Sequence, residues 1–219
     1  MGLLKSQQLP HSIRMQLNIM RAKRHWNNVG IIFIHIPKNG GTSINQALYG
    51  RFMGHFSISE VELLHRRLTV KLPKIALSRK PWARLYSAYL FAKRNSEEIK
   101  APKIYNPNFF QNDIFLTFDK FVNEWLVYQN IRSLDLIFRP QIDFIARNDG
   151  SIGVDYVGRL EEPLNYTKWI EETLRHSINV SHLNKTGSVL SYRKVYNKQL
   201  IETISQIYAE DLRVFNYDF

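Results

Sequence analysis

Within Pro37-Lys38-Asn39-Gly40-Gly41-Thr42-Ser43 the chain places a lysine, two adjacent glycines and two hydroxyls. Glycines permit backbone angles and a close approach that a Cβ would forbid. Ahead of them, residues 29–36 (Val-Gly-Ile-Ile-Phe-Ile-His-Ile) form a β-branched, nearly continuous apolar run, which predicts a buried parallel strand. Behind them, Thr42 or Ser43 can cap a helix reaching about Phe52. A strand, a glycine loop and a helix start make an anion cradle, because the first N–H groups of the helix face the ligand and the helix dipole favours negative charge. Lys38 adds a mobile point charge, and the two hydroxyls add donors. The lysine precedes the glycines and no Gly-Lys-Ser/Thr occurs, so magnesium-dependent NTP hydrolysis loses its usual signature.

A second cationic segment, Arg79-Lys80-Pro81-Trp82-Ala83-Arg84-Leu85-Tyr86-Ser87, follows a short buried strand expected at Lys74 to Ser78. Arg79 leaves the strand end, where its planar fork can grip a phosphate. Pro81 suits the first position of a helix reaching about Arg94, and Arg84 and Ser87 then share one helical face. Gly54-His55-Phe56 lies between the two segments in the chain. An imidazole accepts a proton at neutral pH without extreme tuning, so His55 is the first choice for a base and Glu60 the alternative. His35, inside the first strand, reads as a packed core residue.

The two segments, in this order and each after a strand, resemble the phosphate sites of sulfotransferases that use 3′-phosphoadenosine 5′-phosphosulfate (PAPS), specifically the carbohydrate branch of family 2 type. Phe33 to Ser43 is similar to that family's 5′-phosphosulfate loop, with Asn39 where Thr is usual. Ala76 to Tyr89 is similar to its 3′-phosphate site, with Lys80 where Asp is often found. The resemblance implies cofactor contacts from Pro37, Lys38, Asn39, Gly40, Gly41, Thr42, Ser43, Arg79 and Ser87, with Arg84 supporting. Leu183-Asn184-Lys185-Thr186 resembles a late loop that closes over the cofactor, which makes Lys185 and Thr186 candidates. Asp155 to Glu161 looks like a late core strand and is read as scaffold. The implied reaction moves the sulfuryl group in line onto an acceptor hydroxyl, most simply of a saccharide, with His55 as base and Lys38 stabilising the leaving phosphate oxygen. That arrangement requires no metal. His55, Glu60, Arg84 and Tyr105 are the candidate acceptor contacts.

These segments need a scaffold. Strands alternating with helices imply a three-layer α/β/α fold with a central, mostly parallel sheet in one domain spanning 1–219, and the resemblance implies that it is P-loop-like and of sulfotransferase type. Ligands in such sheets sit at the carboxyl ends of the strands. Helices are expected at 12–26, Glu60 to Val70, Thr117 to Gln129, about 162–176 and about 195–213, and a strand at Gly153 to Leu160. Residues 1–28 form a basic extension, which can pack on the domain or lie on a membrane surface. The polar, aromatic stretch 95–116 reads as a lid or acceptor loop, with Lys100, Lys103, Tyr105, Phe109 and Phe110 suited to an acidic sugar.

With a net charge of +11, and Glu60 the first acidic residue, the chain calls for an anionic partner or cofactor. No zinc finger or RNP-type strand supports nucleic acid, so no nucleic-acid partner is expected. Cysteine is absent, which excludes disulfides and thiolate chemistry. No run of about 18 apolar residues occurs, so no membrane span is expected. Small size and the missing anchor suggest a bacterial cytoplasmic enzyme, with a luminal Golgi location the alternative for a trimmed chain. The competing functional readings are a P-loop-type kinase and an inactive module that binds anionic glycans.

Overall fold

The computed structural model describes residues 11–97, 107–180 and 192–219. In chain order its first elements are α1 (His11–Val29), β1 (Ile32–Ile34), α2 (Gly41–Tyr49), α3 (Ile58–Lys71), β2 (Lys74–Ser78) and α4 (Pro81–Glu97). They are followed by α5 (Phe118–Lys120), α6 (Ile142–Ile145), β3 (Tyr156–Arg159), α7 (Pro163–Leu174), α8 (Lys198–Ile207) and α9 (Ala209–Phe215). The chain divides into two compact units. One contains the chain up to Ile36, Gly40–Leu77 and the stretch from Phe144; the other contains Pro37–Asn39, Ser78–Asp143 and the C-terminal part.

The first unit carries the sheet. β1 pairs in parallel with β2, Ile32 opposite Lys74 and Ile34 opposite Ala76, and the strand order is β1-β2-β3. The α/β class and the parallel pairing agree with the sequence, and the regular sheet among the described residues has three strands. β1 is shorter than its apolar run. On this edge strand the Tyr49 hydroxyl takes over, accepting from Phe33 N–H and donating to Ile31 O, both at 3.0 Å. Buried Lys74 is held by Asp155 at 2.9 Å, and Asp155 also accepts the Lys74 N–H, so the late segment is scaffold as expected. α1 packs on α2 and α3. It buries Ile19, Ala22 and Trp26 at helical spacing while Arg14, Arg21, Lys23 and Arg24 face solvent. α3 starts at Ile58 because Ser57 and Glu60 form a reciprocal capping box.

The second unit is built around aromatic rings. α4 starts at Pro81 as expected and carries Tyr89 against Phe118 and Phe121. The helix expected from Thr117 to Gln129 changes pitch twice: α5 passes into a wide π-type turn over Phe121–Trp125 and then a tight 3₁₀ turn over Leu126–Tyr128. The wide turn accommodates the bulk of Phe121 and Trp125, whose rings both meet Phe115 and Phe138 in tilted or edge-on contacts. The single helix expected near 195–213 is two helices. Tyr208 breaks it, and its buried hydroxyl donates to Phe138 O at 2.6 Å. Of the stretch 95–116, residues 98–106 lie outside the described residues. Phe110 is buried against Phe115 and Phe138, so that ring is core and not an acceptor face.

Candidate active site

Two backbone positions shape the turn after β1. Lys38 has φ +69° and Gly40 φ +70°, both left-handed. Glycine takes that conformation freely, whereas a lysine pays on the order of 1 kcal/mol. The strain persists because two arginines hold the turn by its carbonyls. Arg84 Nε donates to Pro37 O and Arg79 Nη1 to Lys38 O, both at 3.0 Å. Arg84 Nη1 also donates to Arg139 O at 2.7 Å. Arg84 is thus a buried strut under the loop.

Gln141 fixes the same turn from another side. Its Oε1 accepts from Asn39 Nδ2 at 2.7 Å and from the Arg79 N–H at 2.9 Å, and its Nε2 donates to Arg79 O at 2.9 Å. Asn39, where the resembling family has Thr, uses its amide for this tie. Gln141 is itself anchored by Asp211, whose two oxygens accept the N–H groups of Gln141 and Ile142 at 2.9 Å and so cap α6. Burial pushes the Asp211 carboxyl up, opposed by the Arg84 guanidinium and these N–H donors.

Charge collects here without a carboxylate at the centre. The Lys38 amine stands 4.0 Å over the Phe91 ring. Burial, then repulsion from Arg79, Arg94 and Arg84, pulls its pKa down to about 7. Arg84 Nη2 is a buried donor with no partner among the described residues. Three arginines that repel the Lys38 amine, and one orphaned buried donor, fit a polyanion. Ser87 is half-buried on α4, one turn from Arg84.

In the first unit, Gly40 is the N-cap of α2 and Gly41 its first residue, with no side-chain cap, so Thr42 and Ser43 lie in the first turn and not at the cap. Ser43 N–H donates to Gly40 O at 3.2 Å, leaving the Gly41 and Thr42 amides without an intrahelical acceptor. No other residue fits at 41: a Cβ there would stand 2.0 Å from His35 Cδ2. The His35 ring is buried, with Nδ1 accepting from Asn45 Nδ2 at 2.9 Å. His55 lies on it, ring centroids 4.2 Å apart, and Phe52 meets both imidazoles edge-on at 5.5 and 5.3 Å.

His55 Nδ1 is 2.9 Å from His35 O. A carbonyl only accepts, so Nδ1 carries the proton and the neutral ring presents its lone pair at Nε2. Glu60, the alternative base, has a carboxylate oxygen committed to the Ser57 N–H at 2.7 Å. Tyr105, Lys185 and Thr186 lie outside the described residues. Among the described residues no group of three or more His, Asp or Glu could hold a metal ion, and no helix is long and apolar enough to cross a membrane.

Residues 19–218 match the sulfotransferase family. The chain belongs to that family. No curated protein and no solved structure gives a match. As a sulfotransferase the chain is a transferase of sulfuryl groups, and the match runs through both glycine loop and arginine segment. The positioning residues Gln141, Asp211, Asn45 and Phe52 carry no motif. Asp211 did leave a trace, because it falls on the apolar stripe Ile204, Tyr208, Phe215.

Proposed function

We propose that this sulfotransferase takes the sulfuryl group from PAPS to a hydroxyl of a saccharide, with His55 as general base and Lys38 as the cation at the leaving phosphate oxygen. The orientation of His55 carries the reading. Its Nδ1–H points at His35 O, so Nε2 can take the hydroxyl proton, and the imidazolium that forms keeps a carbonyl facing its other N–H. PAPS supplies, when bound, an activated sulfuryl group on a phosphate. Toward that group Pro37, Asn39 and Gly40 shape the loop, and the Gly41 and Thr42 amides with the Thr42 and Ser43 hydroxyls provide donors. Arg79 and Ser87 are the proposed grip on the 3′-phosphate, and Lys185 and Thr186 the proposed late-loop contacts. The lowering of the Lys38 pKa by burial and by the neighbouring arginines supports an anionic cofactor, and the continuous family match supports treating both units as one sulfotransferase domain.

Lys38 sets the pH range. With a pKa of about 7 in the free protein, the amine is largely neutral at pH 8. An arriving anion restores the proton, so affinity falls as pH rises through 7. Thermal-shift titration with the desulfated cofactor, 3′-phosphoadenosine 5′-phosphate (PAP), against ADP and ATP tests the assignment. Stabilisation by PAP above both is expected, and preference for ATP would overturn it in favour of a kinase.

A further inference from the structure

α1 carries two apolar stripes, and the fold buries one of them. Ile19, Ala22 and Trp26 lie on the packed side. Ile13, Leu17 and Met20, at i, i+4 and i+7, fall within about 60° of one another around the helix, with Ile13 about 180° from Ala22. All three are exposed, Met20 to 58%. Arg14 and Arg21 flank this outward stripe on one side and Lys23 on the other, with Arg24 on the stripe itself, and all four are exposed. Among the described residues none of these cations forms an ion pair, and no acidic residue precedes Glu60 in the chain.

α3, which packs on α1, repeats the composition. Leu63 and Val70 are 82% and 81% exposed, among the exposed Arg66, Arg67 and Lys71. The two carboxylates of α3 are engaged elsewhere: Glu60 accepts the Ser57 N–H at the helix start, and Glu62 pairs with Arg147 at 2.9 Å.

We propose that the outward face of α1 docks the protein on an anionic phospholipid bilayer, with the α3 cations adding attraction. The helix lies in the plane of the interface, its apolar stripe at the acyl-chain boundary and its flanking cations at the headgroups. Arginine and lysine suit that position because their stems follow the apolar layer while their charges stay at its surface. Packing on the domain and lying on a membrane are alternatives in the sequence; the two stripes of α1 allow both at once. Nucleic acid would use the cations but gives Ile13, Leu17 and Met20 nothing apolar to enter. A second copy would set these cations against themselves across a two-fold axis, with no acidic residue on α1 to offset them. Docking by this face needs neither PAPS nor His55, and no spanning helix.

The test is cosedimentation of the full chain with vesicles of phosphatidylcholine alone or of equimolar phosphatidylcholine and phosphatidylserine. The wild type is expected to bind the anionic vesicles at least about tenfold more tightly than the neutral ones. Arg14→Glu combined with Arg21→Glu should weaken that binding about tenfold or more. Leu17→Ser combined with Met20→Ser, also at exposed positions, should weaken it by a similar factor and leave binding to an oligo-dT of matched charge unchanged. In the wild type, anionic vesicles should suppress oxidation of Met20 by dilute peroxide, read by peptide mapping, which depends on no variant folding. Absent binding to anionic vesicles, equal binding to neutral ones, or indifference to either pair of substitutions overturns the proposal. So does Met20 oxidation that proceeds equally with and without vesicles. Parallel loss of oligo-dT binding in the Leu17→Ser, Met20→Ser variant would overturn it in favour of a general polyanion surface. A dimer in sedimentation velocity that this variant abolishes would overturn it in favour of a second copy.

Discussion

Around Lys38 the second unit gathers charge, whereas around Gly41 the first unit gathers rings. Near Lys38 three arginines repel the lysine amine, and the chain tolerates this because Arg79 and Arg84 are tied to backbone carbonyls and Gln141 is tied to Asp211. That half holds electrostatic strain which an anion relieves. Near Gly41 the groups are touching: a glycine with no room for a methyl, an imidazole on it, a second imidazole on the first. What it offers is orientation: the His55 Nδ1 lies 2.9 Å from the His35 carbonyl oxygen.

Exchanging the roles of the two halves in experiments would break that division. The largest effect is expected from His55→Ala, which should lower kcat about 10²- to 10⁴-fold while leaving the PAP dissociation constant within about twofold. A parallel loss of PAP affinity would show that the imidazole half also binds charge. Lys38→Met should cost about 10²- to 10³-fold in kcat; an effect confined to KM would deny it a part at the leaving oxygen. Gly41→Ala forces a methyl into the His35 ring and should destabilise the fold by about 1–3 kcal/mol in urea titration. Asp211→Asn, which puts an amide where two N–H groups need acceptors, should cost a similar ~1–3 kcal/mol, with kcat little changed once the protein is folded. Smallest is a proton signal. Calorimetry of PAP binding at pH 8 in buffers of different ionisation enthalpy should show uptake of up to about one proton, absent in Lys38→Met.

What the sequence disclosed and what it hid follow the same physical line. β2 falls on Lys74–Ser78 and α4 on Pro81, as read from local signals, because an apolar run and a helix-starting proline act over a few residues. Arg79 and Arg84 stood out for the same reason. Gln141 and Asp211 did not, since the bonds that give them meaning join residues 62 to 102 positions apart. The helix cap lies at Gly40 and not at Thr42 or Ser43, because the turn is closed by backbone geometry and not by a side chain. The break at Tyr208 depended on a carbonyl seventy residues away.

The left-handed, half-sheltered Lys38 has a consequence for chemistry applied from outside. An amine that gives up its proton near pH 7 keeps a free lone pair under conditions where ordinary lysines are ammonium ions. It should therefore be the first lysine acylated by a substoichiometric activated ester at neutral pH, and peptide mapping would locate the adduct. A small phosphate-mimicking electrophile could exploit this, turning the residue proposed to meet the leaving group into a covalent handle on the enzyme.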